Sequence, residues 1–482
     1  MVRDFLEVRL ESANFPCEHV QIHRLTGREA IGQLFEFDLE VVSTRPHEPT
    51  AVAMSSAEAT IIFHHDKVEV RRIHGMISEV VEMLETEVET RVYHLKFVPR
   101  AFRSTLIETQ EVFMDLTVPE IIKKKLELVG LGADDCEFRL VATYPKLEFV
   151  VQYKESDLAF ISRLAEHVGI SFFFVHDDEH DKMVFADHKD GFQRVPGHDT
   201  AHFQPRGEKN DVYHLEGKTR LIPTSYVMQD YNYRKPALDI TATVESALGF
   251  AGGVVEHGAH YKTPEAGMAL AQIRAEEREA TRHVYTGKSE MCWFDAGARF
   301  KLENHARLEK DNLLIVDVQH RIIQSVSTHG GASDERYTNT FTAIDATLTY
   351  RPPRITPKPR IHGLLTGVVE QPPETDITKH AILDDDGRYT IRFLFDTAPS
   401  GEHKASRPVR MIQPHAGPDY GMHFPLKPGI EVLLAFVNGD PDRPLIVGAV
   451  PNPETPSPVR KQNSLMNRIK TVSGILVEMK DR

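Results

Sequence analysis

Ala416-Gly417-Pro418-Asp419-Tyr420-Gly421-Met422-His423-Phe424-Pro425 is followed by Gly429-Ile430-Glu431-Val432, and then by Asn438-Gly439-Asp440-Pro441-Asp442-Arg443-Pro444-Leu445-Ile446-Val447-Gly448. The glycines and prolines of this stretch set tight turns between short strands. Asp440 and Asp442 bracket Pro441 in a turn, where their carboxylates can accept backbone N–H bonds. Nothing in it is a catalytic pair. Before it, Arg388 to Phe395 alternates, with Tyr389, Ile391, Phe393 and Phe395 on one face after a turn at Asp385-Asp386-Gly387. Ile430 to Val437 is a near-continuous apolar run, which predicts a strand buried on both faces. About five short strands within 361–450 predict a small barrel of the OB type.

Residues 350–360 hold four prolines in eleven positions. Proline removes a backbone donor and fixes φ, so 351–360 reads as a stiff linker between a region of 1–350 and the module at 361–450. Upstream, Phe35, Phe37, Leu39 and Val41 alternate, and Arg91 to Val98 carries Val92, Leu95 and Phe97 among polar neighbours. Short strands of period two predict antiparallel barrels or sandwiches. Three helices interrupt them. One covers about 118–129, with Thr117 as cap, Pro119 in the first turn, a stripe of Ile121, Ile122, Leu126 and Val129, and Gly130 at its end. The second covers 156–168, with Ser156 as N-cap, Asp157 in the first turn, a stripe of Leu158, Ile161, Leu164 and Val168, and Gly169 as its stop. The third covers about 264–281 after Thr263 and has one solvated face. A second proline cluster, Pro451, Pro453, Pro456 and Pro458, opens the segment 451–482, where Ile469 to Met479 reads as a strand with Gly474 inside it. The fold class is mainly β with a few helices.

The chain of 482 residues is long enough for about three domains at ~100–200 residues each. Hydrophobic residues make up 41% and charged residues 27%, which excludes a mainly disordered chain. Lys plus Arg is 57 against 71 for Asp plus Glu, a net charge of −14 that argues against gripping nucleic acid or an anionic membrane over the whole surface. Within 361–450 the balance is eight against twelve, so this OB module lacks the basic groove of a single-strand binder. Cys17, Cys136 and Cys292 form no CxxC pair, which speaks against a zinc knuckle or a disulfide scaffold. No apolar stretch approaches the length of a membrane helix, and the N-terminus lacks a signal-peptide pattern.

His176-Asp177-Asp178-Glu179-His180 matches the HxxEH zinc-peptidase pattern, whose chemistry needs both histidines on one helical face. It stands between Ile170–Val175 and Met183–Phe185, which reads as a solvated turn between strands. Gly287-Lys288-Ser289 ends a P-loop pattern, but Arg282 replaces the required glycine, so a loop after the third helix is expected. Gly130 and Gly132 read as a helix C-cap rather than a dinucleotide fingerprint, because Asp135 stands at its third glycine. Asp384-Asp385-Asp386-Gly387 lacks the spacing of a calcium loop and reads as a hairpin turn. No catalytic residue, metal ligand or cofactor is expected.

The stretch 416–448 resembles the OB module of VgrG, the spike protein family of type VI secretion. Tyr153-Lys154-Glu155-Ser156-Asp157-Leu158-Ala159-Phe160, with Arg163-Leu164 and Gly169-Ile170, resembles the hallmark of that family's hub region, and Gly32-Gln33-Leu34-Phe35-Glu36-Phe37 also fits. The motif positions carried over as structural residues are Tyr153, Glu155, Ser156, Asp157, Phe160, Arg163, Leu164, Gly169, Gly417, Tyr420, Gly421, Phe424, Pro425, Gly429, Glu431, Val432, Gly439, Asp440, Asp442, Pro444 and Gly448.

The resemblance implies a hub of two barrel-like domains, an OB neck and the start of a triple-stranded β-helix needle. It implies a homotrimer that sits on a hexameric Hcp-type tube among baseplate components, carries effector proteins and a PAAR-type tip, and punctures a target membrane in transient contact. It implies assembly in the cytoplasm and export through the contractile machine without a signal peptide. The hub of an extracellular contractile particle or a phage tail is the alternative; a metal hydrolase and a nucleic-acid binder rank below both. Arg468 to Gly474 resembles the transition into the needle, and the sequence stops at Arg482 where the needle should begin. Either the chain is truncated or its needle is very short, and no effector domain is expected.

Overall fold

In the protein's computed structural model, residues 6–45, 49–84, 90–177, 179–195, 197–205, 211–308, 312–325, 337–370, 383–396 and 408–481 are described. They divide into two units, one of Met1–Ile107, Ile122–Tyr144 and Asp157–Pro357, the other of Glu108–Ile121, Pro145–Ser156 and Lys358–Arg482. The second unit thus takes in two short segments far upstream of the proline-rich stretch. Their side chains explain it: Val112, Phe149 and Tyr153 pack against the same apolar core as Tyr389, Ile391, Phe393 and Val432.

In the first unit, alternation produces strands as expected. Phe37, Leu39 and Val41 are buried in Glu36–Ser43. In Arg91–Val98 the inward set is Tyr93, Leu95 and Phe97, so Tyr93 takes the place expected of Val92. The antiparallel order is Leu6–Glu11, Glu58–His65, Val68–Glu82, Arg91–Val98, Glu36–Ser43 and Val20–Ala30. Gln324 links the two ends of this series. Its Oε1 accepts from Val8 N at 2.7 Å, and its Nε2 donates to Val8 O at 3.0 Å and to Ile22 O at 2.9 Å. One side-chain amide thereby stands in for a ladder rung and closes the first barrel.

Val20–Ala30 also pairs with Asn312–Ile323, which carries the sheet into a second barrel. Its order continues through Thr338–Asp345, His283–Ser289 and Val212–Thr219. A bridge from Val212 to Phe203 leads to Thr200–His202, and Arg299–Glu303 pairs back onto Asn312–Ile323. Phe294, Phe300, Leu302, Ile315 and Phe341 fill the interior. Gly287 and Ser289 therefore lie in a strand rather than a loop. The reason is steric: Gly287 faces Phe341, whose ring would stand 2.3 Å from any added Cβ.

Among the described residues the α-helices are α1 (Ala51–Met54), α2 (Val118–Leu128), α3 (Asp157–Val168) and α4 (Pro264–Ala280). The single turn α1 had no sequence expectation. At the start of α2, Glu120 N donates to Thr117 Oγ1 at 3.3 Å and Thr117 N to Glu120 Oε2 at 2.7 Å, a reciprocal capping box. Gly130 ends the helix at φ 82°. α4 is capped by Thr263, whose Oγ1 accepts from Ala266 N at 3.3 Å, and it packs Leu270 and Ala271 onto the sheet of Ala242–Glu245, Ser225–Gln229 and Gly253–His257.

The second unit holds a four-stranded antiparallel sheet in the order Ile391–Phe393, Leu365–Val369, Glu431–Phe436 and Pro444–Ala449. Tyr389, Ile391 and Phe393 are buried with Phe395 half-buried beside them, as their alternation predicts. Glu431–Phe436 corrects the expectation of a strand buried on both faces. Val432, Leu434 and Phe436 point inward, while Glu431, Leu433 and Ala435 are half-buried on the other face. Asp384 to Gly387 form a tight turn, with Asp384 Oδ1 accepting from Arg388 N at 2.9 Å and from Asp386 N at 3.1 Å. Ile469 to Met479 is not one strand. Met466–Lys470 and Leu476–Lys480 pair antiparallel around Gly474, which sits in the turn at φ 96°.

Candidate functional site

The motif at 153–170 crosses from the second unit into the first between Ser156 and Asp157, so its residues serve two cores. Val150–Ser156 pairs with Glu108–Phe113 through a register shift, and Lys154 adopts φ 48°. That left-handed residue makes a bulge which turns Tyr153 towards Phe395, at a ring distance of 5.7 Å, while Glu155 is buried. Glu155 Oε1 accepts from Tyr153 N at 3.4 Å. Ser156 closes the strand opposite Glu108.

In the first unit Asp157 opens α3 fully buried, with Lys125 Nζ at 3.1 Å. Phe160 is buried, and the guanidinium of Arg163 lies 5.0 Å over its ring. Leu164 is in the apolar stripe, and Gly169 ends the helix at φ 75°. A Cβ at Gly169 would stand 2.8 Å from Ile273 and 3.0 Å from Arg351, and Arg351 Nη1 donates to Gly169 O at 3.0 Å. Glu166 accepts from Thr356 N at 3.0 Å and from Thr356 Oγ1 at 2.7 Å. Burial raises its pKa against those bonds.

In the second unit the Asp440–Asp442 turn is a clamp. Asp442 Oδ1 accepts from Val151 N at 2.7 Å, and Asp440 Oδ1 accepts from Asp442 N at 3.0 Å. Both carboxylates hold Lys358 Nζ, at 2.6 Å for Asp440 and 2.7 Å for Asp442. The backbone acceptance was legible in the sequence; the lysine, inside a proline-rich stretch, was not. Gly439, at φ 73°, accepts from Ile361 N at 2.8 Å. Gly417 lies under Tyr420, whose ring would stand 2.1 Å from a Cβ, and Gly421 would meet His415 O at 2.4 Å. Gly429 turns at φ 82°, Glu431 accepts from Asn452 Nδ2 at 3.0 Å, and Val432 is fully buried. Pro444 starts the strand opposite Phe436, and Gly448 sits opposite Leu433. Tyr420, Phe424 and Pro425 are exposed. The motif thus builds turns and presents a surface.

The histidine pattern at 176–180 sits on a hairpin of Ser171–His176 and Asp181–Ala186, with Asp178 outside the described residues. His176 Nδ1 accepts from His74 N at 3.1 Å, whereas His180 Nε2 lies 3.6 Å from Asp135. The two rings serve different neighbours, and they stand on a β-hairpin rather than on one face of a helix. His176 also corrects the picture of a solvated turn: its Nε2 is sealed from solvent, and burial drives its pKa down to about 3, leaving it neutral.

Lys125 is the functional-looking residue that sequence reading passed over. A signal was present, because it falls on the stripe of Ile121, Ile122, Leu126 and Val129, where a lysine requires a buried partner.

Residues 28–326 match the model of the phage tail baseplate hub family, and residues 379–450 match that of the type VI secretion system/phage-baseplate injector OB domain. The type VI secretion system spike protein VgrG4b of Pseudomonas aeruginosa is 30% identical over 465 residues, covering 91% of this chain and 55% of the relative. The actin cross-linking toxin VgrG1 of Vibrio cholerae is 29% identical over 425 residues, 86% of this chain and 38% of the toxin. The chain therefore spans about half the length of such relatives. Among solved structures, the E. coli c3393 protein, described as a type VI secretion component structurally similar to the T4 tail proteins gp27 and gp5, aligns with a TM-score of 0.65. It is 22% identical, and the alignment covers 92% of this chain and all of that one. With the hub match covering more than half of its residues, and the injector OB domain behind it, the chain belongs to the phage tail baseplate hub family and resembles its VgrG spike members.

Proposed function

We propose that this chain is the hub and neck of the spike of a contractile injection machine of the type VI kind. Three copies assemble, their six barrels form a pseudo-sixfold ring that sits on a hexameric Hcp-type tube among baseplate components, and the far end carries a PAAR-type tip and effector proteins and punctures a target membrane. The protein leaves the cell through the machine itself. Its role is mechanical. The motif carboxylates support this: Asp157 faces Lys125, while Asp440 and Asp442 are held by Lys358 and the backbone. The actin cross-linking of the Vibrio cholerae relative is not carried over, since the match spans 38% of that protein.

The observation that carries the reading is the terminal hairpin. Ile469, Ile475, Val477 and Met479 lie on one side of it and are 47–66% exposed, while Arg468 and Glu478 pair at 2.6 Å on the other side. An isolated two-stranded hairpin is marginal in water. One with an apolar face is suited to meeting identical hairpins around a threefold axis. Size-exclusion chromatography with light scattering tests this, with a mass of three 54.6 kDa chains expected. A monomer at micromolar concentration sinks it.

A further inference from the structure

The two barrels of the first unit meet on a cluster of charged side chains. Arg71, from Val68–Glu82 of the first barrel, donates to Cys292 O at 2.9 Å and pairs with both Glu29 and Asp295. The side chains of Arg71 and Glu29 are 5% and 6% exposed, and that of Asp295 is three-quarters buried. His320, from Asn312–Ile323, brings Nε2 to 3.0 Å from Glu29 Oε1.

Asn339 Nδ2 donates to Met291 O at 2.9 Å, an oxygen that only accepts, which fixes the amide. Nδ2 also donates to Tyr337 OH at 3.1 Å, and Ser289 Oγ donates to Asn339 Oδ1 at 2.7 Å. Tyr337 is then free to give its own proton to His320 Nδ1, at 2.5 Å. An imidazole accepting at Nδ1 carries its proton on Nε2, which lies 3.0 Å from Glu29 Oε1 without the alignment of a hydrogen bond. Burial lowers the pKa of His320 despite that carboxylate, so the ring is neutral.

The charges among the described residues can then be counted: one guanidinium and two carboxylates. His74 and His176, which face the cluster from Val68–Glu82 and Ser171–His176, are lowered by burial and add none at neutral pH. Cys292 and Tyr337 are raised by burial and stay protonated. Asp317, beside His320, is already held by Arg28 Nε at 2.8 Å. With both carboxyls ionised, one negative charge would be uncompensated in a buried place, which is costly. The two carboxyls differ in support. Against burial, Arg71 and His320 bring Glu29 down to about 2. Among the described residues Asp295 has Arg71 as its one cationic partner and faces Glu29, so burial and that charge lift it to about 7.

We propose that Asp295 is a proton store at the seam between the two barrels, and that release of its proton to solvent leaves an uncompensated negative charge that loosens the seam. The sign is set by linkage. A folded pKa raised from 3.8 to about 7 gives stability that is fully present below about 4 and is lost as pH rises to about 7.

Urea denaturation of the full chain and of Asp295→Asn across this range tests the proposal. The ratio of wild-type to variant unfolding constants should rise up to tenfold per pH unit between about 4 and about 7, then level. The histidines' opposite contribution cancels in that ratio, because both proteins carry them. Should Asp295→Asn fail to fold, infrared spectra of wild type and Glu29→Gln labelled with carbon-13 aspartate report the same proton. A protonated-carboxyl band should be present at about pH 6 and lost by about pH 8.5, and Glu29→Gln should move that loss at least one unit lower. A flat ratio, or wild-type and Glu29→Gln bands that titrate together, overturns the proposal.

Discussion

Lys154 sits at φ 48° in a strand whose neighbours alternate, with its own side chain exposed. A non-glycine residue in this region costs roughly 1–2 kcal/mol, and a β-branched one more. Lys154→Gly should therefore fold with unchanged or slightly higher stability, whereas Lys154→Val should lose about 2 kcal/mol relative to the glycine variant. Urea midpoints compare the two, and equal midpoints would remove strain as the reason for the bulge. Lys125 and Asp157 pose the opposite problem, a charge pair in a dry place. Removing one partner of a buried pair costs about 3–5 kcal/mol, while replacing both with apolar residues of similar volume is far milder. Lys125→Ala should therefore destabilise the first unit by about that amount, and Lys125→Met with Asp157→Leu should recover most of it. The lysine was legible as a misfit on an apolar stripe. The bulge was not, because a residue at positive φ leaves no mark on a pattern of polar and apolar letters unless it is glycine or asparagine.

At the scale of elements, the first barrel closes through Gln324, which lies 316 residues from Val8. Its amide satisfies the N–H and C=O of Val8 and the C=O of Ile22. Leaving a buried backbone group without a partner costs about 1–3 kcal/mol. Gln324→Leu should therefore speed amide hydrogen exchange in Leu6–Glu11 at least about tenfold and leave Val212–Thr219 unchanged. Uniform acceleration across both barrels would show that the amide is not a local closure. Strands and helices such as Glu36–Ser43, α2 and α4 were legible because each is written in local period and capping. Closure was not, since it rests on one polar side chain distant in sequence. The same reason hides the membership of Glu108–Ile121 and Pro145–Ser156 in the second unit, where nearness in sequence suggested the first. The tail differs for a local reason: Thr471-Val472-Ser473-Gly474 can be strand or turn, and Gly474 at φ 96° makes it a turn.

At the scale of the whole molecule, the proposed assembly must compete with a net charge of −14 per chain, which repels identical copies and is screened by salt. Apolar contact supplies an attraction that does not depend on salt, and the terminal hairpin offers an apolar face. Its strands are already paired, so most of the ordering cost of about 1–2 kcal/mol per residue is met within each chain. Burying one side chain the size of Ile469 or Val477 is worth roughly 1.5–3 kcal/mol. Ile469→Asp with Val477→Asp should leave thermal unfolding of the first unit unchanged, because both side chains are about half exposed in the single chain. The same pair should shift a trimer towards monomer by at least about a hundredfold in dissociation constant, since a hundredfold is about 2.7 kcal/mol. Deleting residues 459–482 should do no more than this, leaving the hub folded and trimers weakened rather than abolished. Analytical ultracentrifugation over a concentration series separates the cases. Full dissociation of the deletion variant at micromolar concentration would place the whole of the assembly energy in the tail, and an unchanged constant in the double variant would mean that the apolar face of the hairpin meets something other than its own copies.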